Sequence, residues 1–365
     1  LQTSINNLLL SIAKKLKNKR LEAQALAWIG SIYRVQAKHK NAQLYYNDAL
    51  KLSRRINDKQ LIIYCLRSIG DDYRMQLKND LALEYLTEAI NICNESNNVE
   101  EKAFILIHLG ELYQIQSEFF KSTRALNEAI TLSRKINNKN IVCIGIYTLG
   151  EISLAKSDYV AALNYFNQSL NLANELKDKI RLIDCYLSIG DVYRLQNDLK
   201  KAMEYYKQAS LTADEINSPN SKAYCLMVIA DVYKTKGEYN LAIEYLNKSE
   251  SIALEIEDLH RLSEIYLEIG EIYQNKLEFQ QSLNFYEKAL ELGTKIQNRS
   301  AISTSHIHIG EIDFNNKKYK EAIEKGERGM KIAIEIQNLE NIYDASKLLY
   351  QSYKKIGDYS KAILN

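Results

Sequence analysis

Acidic side chains recur every 40 residues along most of this chain. They fill seven of eight equivalent positions, whereas 46 acids in 365 residues would fill roughly one position in eight. The eight positions are Ser31, Asp71, Glu111, Glu151, Asp191, Asp231, Glu271 and Glu311. Carboxylates presented at regular intervals can accept charge-assisted hydrogen bonds from a Lys, an Arg or a backbone amine of a bound partner. Recognition of a ligand along a repeated surface is therefore one chemistry that the pattern supports.

A second interpretation is that several of these acids form solvated ion pairs within their own helix, because a cation follows three residues after them. Side chains at i and i+3 of a helix are neighbours, and exposed pairs of this kind contribute only about 0.2–0.5 kcal/mol. The pairs are Asp71 with Arg74, Asp191 with Arg194, and Asp231 with Lys234.

Two of the acids lack such a cation on their own helix. Glu111 and Glu151 are followed at this position by Gln114 and Leu154. We therefore expect Glu111 and Glu151 to carry uncompensated charge that is available to a cationic group of a bound peptide.

Mostly apolar side chains lie four and seven residues before the central acids, on the same helix face. They are Phe104, Ile107, Ile144, Tyr147, Leu187, Tyr224 and Met227, with Asp184 as the exception. An apolar strip beside acids suits an amphipathic peptide or helix, although packing between successive helices would use the same side chains. The candidate groove consists of Phe104, Ile107, Glu111, Ile144, Tyr147, Glu151, Leu187, Asp191, Arg194, Tyr224, Met227 and Asp231.

Other chemistries find little support in the sequence. His306 and His308 are two residues apart and would point to different sides of a helix, so a shared metal ion is not expected. The sequence contains no phosphate-binding glycine loop and no nucleophile elbow. Its acids recur with the repeat instead of converging on one pocket, as catalysis requires. We therefore expect no enzymatic activity, no metal and no cofactor.

Composition narrows the class of protein further. A net charge of +2, from 48 basic and 46 acidic residues, argues against nucleic acid as the ligand. The sequence has no run of about 18 uncharged apolar residues, so we expect no membrane span. The five cysteines form no Cys-x-x-Cys pair and fit a reduced, cytoplasmic compartment.

A second series of residues with the same 40-residue period indicates which helices position the acids. Small residues recur inside helical patterns, and a bulky residue follows sixteen residues after most of them. The small residues are Gly30, Gly70, Gly110, Gly150, Gly190, Ala230, Gly270 and Gly310, and the bulky ones are Tyr46, Leu86, Leu126, Phe166, Tyr206, Leu246 and Tyr286. Such offsets predict two amphipathic helices per repeat, packed closely where a small residue receives a bulky one.

In the first repeat we expect helix A from Ala23 to Gln36 and helix B from Asn41 to Ile56. Polar pairs such as Asn57-Asp58 follow each helix B, and Asn and Asp favour helix ends because their side chains bond to local backbone groups. The single proline, Pro219, is placed in a turn outside the helices.

These columns resemble the tetratricopeptide repeat, as the second copy shows with Leu66, Gly70 and Tyr73 followed by Ala82 and Leu86. Eight copies fit residues 23–342, with a partial helix B in 1–22 and a partial repeat in 343–365. The period is 40 rather than 34 and the family's closing proline is absent, which resembles the long repeats of Partner-of-Inscuteable-type adaptors, kinesin light chains and bacterial signalling arrays. The resemblance implies a single all-α solenoid of stacked helical hairpins that forms a right-handed superhelix with helix A lining its concave groove.

The same resemblance implies two functions. The preferred one is a protein–protein interaction scaffold that binds a peptide or helical segment in the groove. The alternative is a sensory arm that controls an attached kinase, cyclase, protease-like or DNA-binding domain. Because the sequence begins and ends inside a helix B, we expect a fragment of a longer protein, with self-association through the exposed array ends as a further expectation.

Overall fold

A computed structural model describes residues 2–36 and 38–364 of the chain, and within these ranges every regular element is an α-helix. The helices are α1 (Gln2–Lys15), α2 (Lys19–Val35), α3 (His39–Arg55), α4 (Lys59–Met75), α5 (Asn79–Ser96), α6 (Val99–Ile115), α7 (Phe119–Lys135), α8 (Lys139–Ala155), α9 (Tyr159–Leu176), α10 (Lys179–Leu195), α11 (Leu199–Glu215), α12 (Pro219–Thr235), α13 (Tyr239–Glu255), α14 (Leu259–Asn275), α15 (Phe279–Ile296), α16 (Arg299–Asn315), α17 (Tyr319–Glu335), α18 (Leu339–Ile356) and α19 (Tyr359–Leu364). Even-numbered helices are the A helices of the repeats and odd-numbered helices are the B helices. The all-α fold expected from the sequence is confirmed.

The turns between repeats use the polar pairs that the sequence pattern indicated. The first residue of each pair takes a left-handed conformation, as does Asn57 at a φ of 54°, and Asn tolerates this region better than most side chains. The second residue caps the next A helix: Asp58 Oδ1 accepts a hydrogen bond from the backbone N–H of Leu61 at 3.1 Å. A cap of this type stabilises its helix by about 1 kcal/mol.

The caps explain where the helices begin. α2 starts at Lys19, four residues before its expected start, because Asn18 accepts a hydrogen bond from the backbone N–H of Leu21. α3 lies within two residues of its expected bounds. The expectation that Pro219 lies outside the helices is wrong, since it is the first residue of α12. A missing N–H and a fixed φ fit that position.

The chain forms two compact units, Leu1–Arg181 and Leu182–Asn365. Within each unit an A helix packs against the B helix that follows, and that B helix packs against the next A helix. Successive A helices also touch, as α2 touches α4 and α12 touches α14, whereas the described B helices of one unit do not touch one another. The A helices thus form the inner layer of each unit and the B helices the outer layer, as in an α-solenoid of stacked hairpins.

The series of small residues lies at the contact between helix A and helix B of each hairpin. A Cβ atom built on Gly190 would lie 2.5 Å from Cε1 of Tyr206, and one built on Gly150 would lie 2.6 Å from Cε1 of Phe166. Both rings are fully buried. Because an interior packed at this density has no space for a further methyl group, the prediction that small positions receive the bulky residue of helix B is confirmed.

The eighth copy packs differently, because Gly326 stands where other copies have an aromatic residue or a leucine. Leu348 of α18 fills the space beside Gly310, with its Cδ2 at 2.8 Å from a Cβ built on that glycine. Leu349 of the same helix comes within 3.0 Å of a Cβ built on Gly326. Three consecutive helices, α16, α17 and α18, therefore close the core of this degenerate copy.

Candidate functional site

The acids and the cations three residues after them meet on the A helices, as the sequence indicated. The distances between charged atoms are 2.6 Å for Asp71 and Arg74, 3.3 Å for Asp231 and Lys234, and 3.7 Å for Asp191 and Arg194. Exposure differs among these pairs: Arg194 is 36% and Asp231 30% accessible, whereas Asp71 is buried, at 8%. The intrahelical pairs predicted from i, i+3 spacing are therefore confirmed, and the pair of Asp191 and Arg194 remains within reach of a ligand.

These cations, and Arg34 at the equivalent position of the first copy, also reach the acid of the following repeat, 37 residues further along the chain. These contacts join Arg34 to Asp71 at 2.6 Å, Arg74 to Glu111 at 3.3 Å, Arg194 to Asp231 at 3.6 Å and Lys234 to Glu271 at 2.7 Å. In the second unit Gln274 continues the series by donating from Nε2 to Glu311 Oε2 at 2.9 Å. We call these residues, together with Asp191 beside Arg194, the charge ladder. Each of the contacts between repeats given above ties one repeat to the next.

Glu111 is consequently not uncompensated. Its Oε2 lies 3.3 Å from Nη2 of Arg74 and 3.5 Å from Nδ1 of His108. The expectation was wrong because it considered only the cation on the same helix, whereas stacking supplies one from the preceding repeat. Glu151 is not free of interactions either.

Burial and neighbouring charges shift pKa values along the charge ladder in different directions. In the first unit, burial acts to raise the pKa of Asp71, but His108 and Arg74 outweigh it and hold that pKa below its ordinary value. In the second unit, burial prevails and raises the pKa of Asp191, although the hydroxyl of Tyr206 donates a hydrogen bond to its Oδ1 at 2.5 Å. The pKa values of these two acids are therefore shifted in opposite directions from the ordinary value of an aspartate.

Lys234 occupies the most crowded point of the charge ladder. Its Nζ lies 2.5 Å from Glu268 Oε2, 2.7 Å from Glu271 Oε2 and 3.3 Å from Asp231 Oδ1, and its side chain is 13% exposed. Burial acts to lower the pKa of Lys234, but Glu268 and Glu271 outweigh it and raise that pKa. Burial raises the pKa of Glu268 despite this cation. One cation thus serves three carboxylates, and this part of the inner layer is acidic.

The structure places the apolar candidates at different depths. Ile107 is 3% exposed, and its Cδ1 lies 3.1 Å from a Cβ built on Gly145 of the next A helix. It therefore belongs to the core, and the prediction that it lines a groove is wrong. Tyr224 is exposed, at 37%. The remaining candidates are half-buried: Phe104, Ile144, Tyr147, Leu187 and Met227.

The aromatic candidates lie beneath guanidinium groups. Distances from the guanidinium carbon to the ring centroid are 4.8 Å for Arg67 over Phe104, 4.9 Å for Arg181 over Tyr147 and 4.9 Å for Arg261 over Tyr224. Cation–π contacts of this kind operate within about 6 Å of the ring. Three of the candidates expected to form an apolar strip are therefore covered by arginines, Phe104 and Tyr147 in the first unit and Tyr224 in the second.

Sequence reasoning missed a cavity in the first unit. It has a volume of about 390 Å³ and lies among α2, α4 and α6. Its lining residues are Arg20, Gln24, Ala27, Trp28, Gln60, Leu61, Tyr64, Asn98, Glu100 and Glu101. Trp28 is the only tryptophan of the chain, and no other copy has an equivalent residue. The repeat pattern therefore contains no signal for this cavity.

Among the residues that the structure describes, no group of three or more His, Cys, Asp and Glu side chains is arranged to hold a metal ion. None of the helices described is both long enough and apolar enough to cross a bilayer. The five cysteines are buried, and burial raises the pKa of the Cys65 thiol to about 12.

Three family models match segments of the chain. The tetratricopeptide repeat model matches residues 21–95, the model of the MalT-like TPR region matches residues 82–248, and the model of the soluble NSF attachment protein, SNAP, matches residues 177–339. No curated protein sequence matches the chain.

Several solved structures share the fold. A STAND protein with a tetratricopeptide repeat sensor from Pyrococcus horikoshii is 16% identical, with a TM-score of 0.62 over 100% of this chain and 55% of that one. A Rap protein complexed with competence and sporulation factor is 17% identical, with a TM-score of 0.61 over 92% and 98%. Aspartyl phosphate phosphatase F from Bacillus subtilis is 13% identical, with a TM-score of 0.61 over 92% and 89%.

These similarities agree with the packing described above. Six glycines of the 40-residue series, from Gly30 to Gly270, each receive a bulky side chain from the B helix that follows, as Gly190 receives Tyr206. The two tetratricopeptide models together span residues 21–248, which is more than half of the chain. The chain thus belongs to the tetratricopeptide-repeat proteins.

Proposed function

We propose that this chain is a non-catalytic interaction scaffold that holds a peptide or a helical segment of a partner protein against its A helices. The observation that carries the proposal is the charge ladder, which presents polar groups at successive repeats within each unit on a layer that the B helices leave uncovered. The proposal treats residues 1–365 as one array, because the 40-residue period continues unchanged from Gly150 to Gly190.

The charge of the second unit favours a basic partner segment. Carboxylates outnumber cations among the ladder residues and the glutamate beside them: Asp191, Asp231, Glu268, Glu271 and Glu311 stand against Arg194 and Lys234. Glu271 remains 43% exposed and Asp231 30% exposed, so both can accept further hydrogen bonds. A cationic side chain or a backbone N–H of a peptide supplies donors for such carboxylates.

The rings beside the ladder add contact area. Tyr224 is 37% exposed and half-buried Met227 lies one turn further along α12. An aromatic ring and a flexible thioether accommodate varied apolar side chains of a bound segment. Polar anchoring by the ladder and apolar contact beside it are together typical of surfaces that bind amphipathic segments.

Replacing Glu111 and Glu151 together by lysine is expected to weaken the binding of a partner peptide at least about tenfold, because like charges brought together at an interface cost several kcal/mol. A displayed library of random peptides selected on the native chain supplies the probe. Its affinity is then measured by fluorescence polarisation, and far-ultraviolet circular dichroism checks that helicity is retained.

The matched control carries the same change of charge on the outer layer. Glu84 of α5 and Glu204 of α11 are exposed side chains of B helices, and the Glu84→Lys/Glu204→Lys variant should bind like the native chain. Equal weakening by both double variants would show that net charge, rather than the inner layer, governs binding. Unchanged affinity of the Glu111→Lys/Glu151→Lys variant would remove these two residues from the site.

A second candidate function is that of a sensory arm attached to an output domain. It is favoured by the likeness of fold to the Pyrococcus horikoshii protein, which is a signal-transduction ATPase with a tetratricopeptide repeat sensor. A catalytic or DNA-binding domain encoded beyond residue 365 would support this arm, and a stop codon there would favour a free-standing scaffold.

A further inference from the structure

The cavity beside Trp28 differs chemically from the rest of the inner layer. Trp28 is 39% exposed, so part of its ring is accessible to a ligand. Tyr64 of α4 and the two acids at the start of α6, Glu100 and Glu101, line the same cavity of about 390 Å³. That volume falls within the range of about 300–1,000 Å³ that is typical of ligand sites. Aromatic faces and carboxylates thus border one space.

Other aromatic rings of the A helices show which group suits such a surface. Phe104, Tyr147 and Tyr224 each have an arginine guanidinium within 4.9 Å of the ring centroid. Arg67 lies over both Phe104 and Tyr64, at 4.8 and 5.4 Å, and its Nε is 3.2 Å from a carboxylate oxygen of Glu101. The chain therefore binds its own arginines between aromatic faces and an acid.

Trp28 lacks the partner that those rings have. Across the described ranges of the chain, no cation lies over its indole. Arg20, the cation that lines the cavity, is held by Asp58 at 2.8 Å. The indole is the aromatic surface to which cations bind most strongly, so the open face of Trp28 is suited to a guanidinium group from outside the chain.

The acids of the cavity retain capacity to accept hydrogen bonds. Glu100 is exposed and accepts a hydrogen bond from Nδ2 of Asn138 at 3.0 Å, and in the part of the chain described it forms no ion pair. Oε2 of Glu101 is shielded from solvent and accepts no hydrogen bond, since its contact with Arg67 is poorly directed. A guanidinium group is planar and carries a forked set of N–H donors, so it could donate hydrogen bonds to the carboxylates of Glu100 and Glu101.

We propose that this cavity is the binding pocket for an arginine side chain of a peptide lying along the A helices. The guanidinium stacks on Trp28 and donates to Glu100, in the same way that Arg67 stacks on Phe104 and contacts Glu101. An arginine is favoured over a lysine because only the guanidinium combines a flat face for stacking with a forked set of donors. The inference rests on the proposed function in that the peptide runs along this layer.

The test uses the fluorescence of Trp28, which is the sole tryptophan and reports on this pocket alone. The probes are acetyl-Gly-Arg-Gly-amide and its counterpart in which neutral citrulline replaces arginine. We expect a saturable change in emission with the arginine peptide, with a dissociation constant in the millimolar range, and none with the citrulline peptide. An absence of saturable response, or an equal response to both peptides, would overturn the proposal.

Substitutions at Glu100 and Trp28 test whether the arginine peptide binds in this cavity. Glu100→Gln keeps the size of an exposed side chain and is expected to weaken the arginine peptide about tenfold, because a charge-assisted hydrogen bond is lost. Glu95→Gln, on the outer layer and 64% exposed, should bind like the native chain. Calorimetry on Trp28→Leu should show no binding of the arginine peptide. Full binding by Trp28→Leu or by Glu100→Gln would place the arginine elsewhere.

Failure of the arginine pocket can be distinguished from failure of the proposed scaffold function. The Glu111→Lys/Glu151→Lys variant leaves the lining of the Trp28 cavity intact, and its emission should still respond to the arginine peptide. Loss of partner binding with an unchanged Trp28 response supports both proposals. A selected partner peptide that binds equally well to the native chain and to Glu100→Gln would leave the scaffold function standing and contradict the arginine pocket.

Discussion

Replacing Gly190 by alanine is expected to lower the free energy of unfolding by about 1–3 kcal/mol, the range found for overpacked cores. The added Cβ would lie 2.5 Å from Cε1 of Tyr206. That ring cannot easily move, because it is fully buried and its hydroxyl donates to Asp191 at 2.5 Å. Alanine favours a helix over glycine by about 1 kcal/mol, so a net loss of stability would show that the clash exceeds this gain.

In one copy of the repeat, alanine replaces the glycine and a smaller side chain replaces the aromatic ring. Ala230 takes the place of glycine in the sixth copy, and the residue sixteen positions later is Leu246 rather than an aromatic ring. Tyr206→Leu is therefore expected to recover part of the stability that Gly190→Ala loses. Ala230→Gly is the matched control, with an expected cost of about 1 kcal/mol from helix propensity alone.

Chemical denaturation followed by circular dichroism measures these differences. Sub-additive effects in the Gly190→Ala/Tyr206→Leu double variant would show that the two positions are coupled through the clash. If Gly190→Ala proved as stable as the native chain, the glycine series would not be explained by close helix packing.

Replacing Lys234 by methionine is expected to lower the free energy of unfolding at pH 7 by about 1–3 kcal/mol, which is less than the cost of breaking a fully buried ion pair because the three carboxylates are 30–43% exposed. Lys234 is 13% exposed and lies within 3.3 Å of carboxylate oxygens of Asp231, Glu268 and Glu271. Methionine keeps the length of the side chain, so that little packing is lost. The three carboxylates are then left close together without the cation.

This loss should depend on pH. The pKa of Glu268 is raised by burial even with Lys234 present, and removal of the cation raises it further. A carboxyl group whose pKa is higher in the folded than in the unfolded chain favours folding as pH falls through the folded value toward the unfolded value of about 4.3. The deficit of Lys234→Met relative to the native chain should therefore shrink between pH 7 and about pH 4.5.

Lys248 provides the control for this substitution. Its Nζ lies 2.7 Å from Glu244, but the two side chains are 53% and 55% exposed. Lys248→Met should change the free energy of unfolding by no more than about 0.5 kcal/mol. Equal losses for Lys234→Met and Lys248→Met, or a Lys234→Met deficit that is constant with pH, would contradict the role assigned to the carboxylate cluster.

Repetition made the hairpin packing predictable from the sequence. The contact of Gly190 with Tyr206 follows from two offsets that recur in seven or eight copies, and a recurring offset on a helix fixes which faces meet. The turns were predictable for the same reason, since Asn57 and Asp58 have counterparts in each copy. The start of α2 at Lys19 was not, because the cap at Asn18 precedes the first full copy.

Contacts between repeats could not be deduced in the same way. The partnership of Arg74 with Glu111 depends on how one A helix is placed against the next, and residue spacing within a helix gives no information on that placement. Ile107 was assigned to a surface for the same reason and packs against the next A helix near Gly145. Trp28 occurs in one copy only, so its cavity had no counterpart in the other repeats.

The central proposal, that a partner segment lies on the A helices, is tested most directly by site-specific photo-crosslinking. Benzoylphenylalanine is placed at Tyr224, 37% exposed on α12, or at Leu254, 55% exposed on α13 of the outer layer. The peptide selected from the display library is then bound and irradiated. We expect a crosslinked product from position 224 and none from position 254. A product from position 254, with none from position 224, would contradict binding on the A helices.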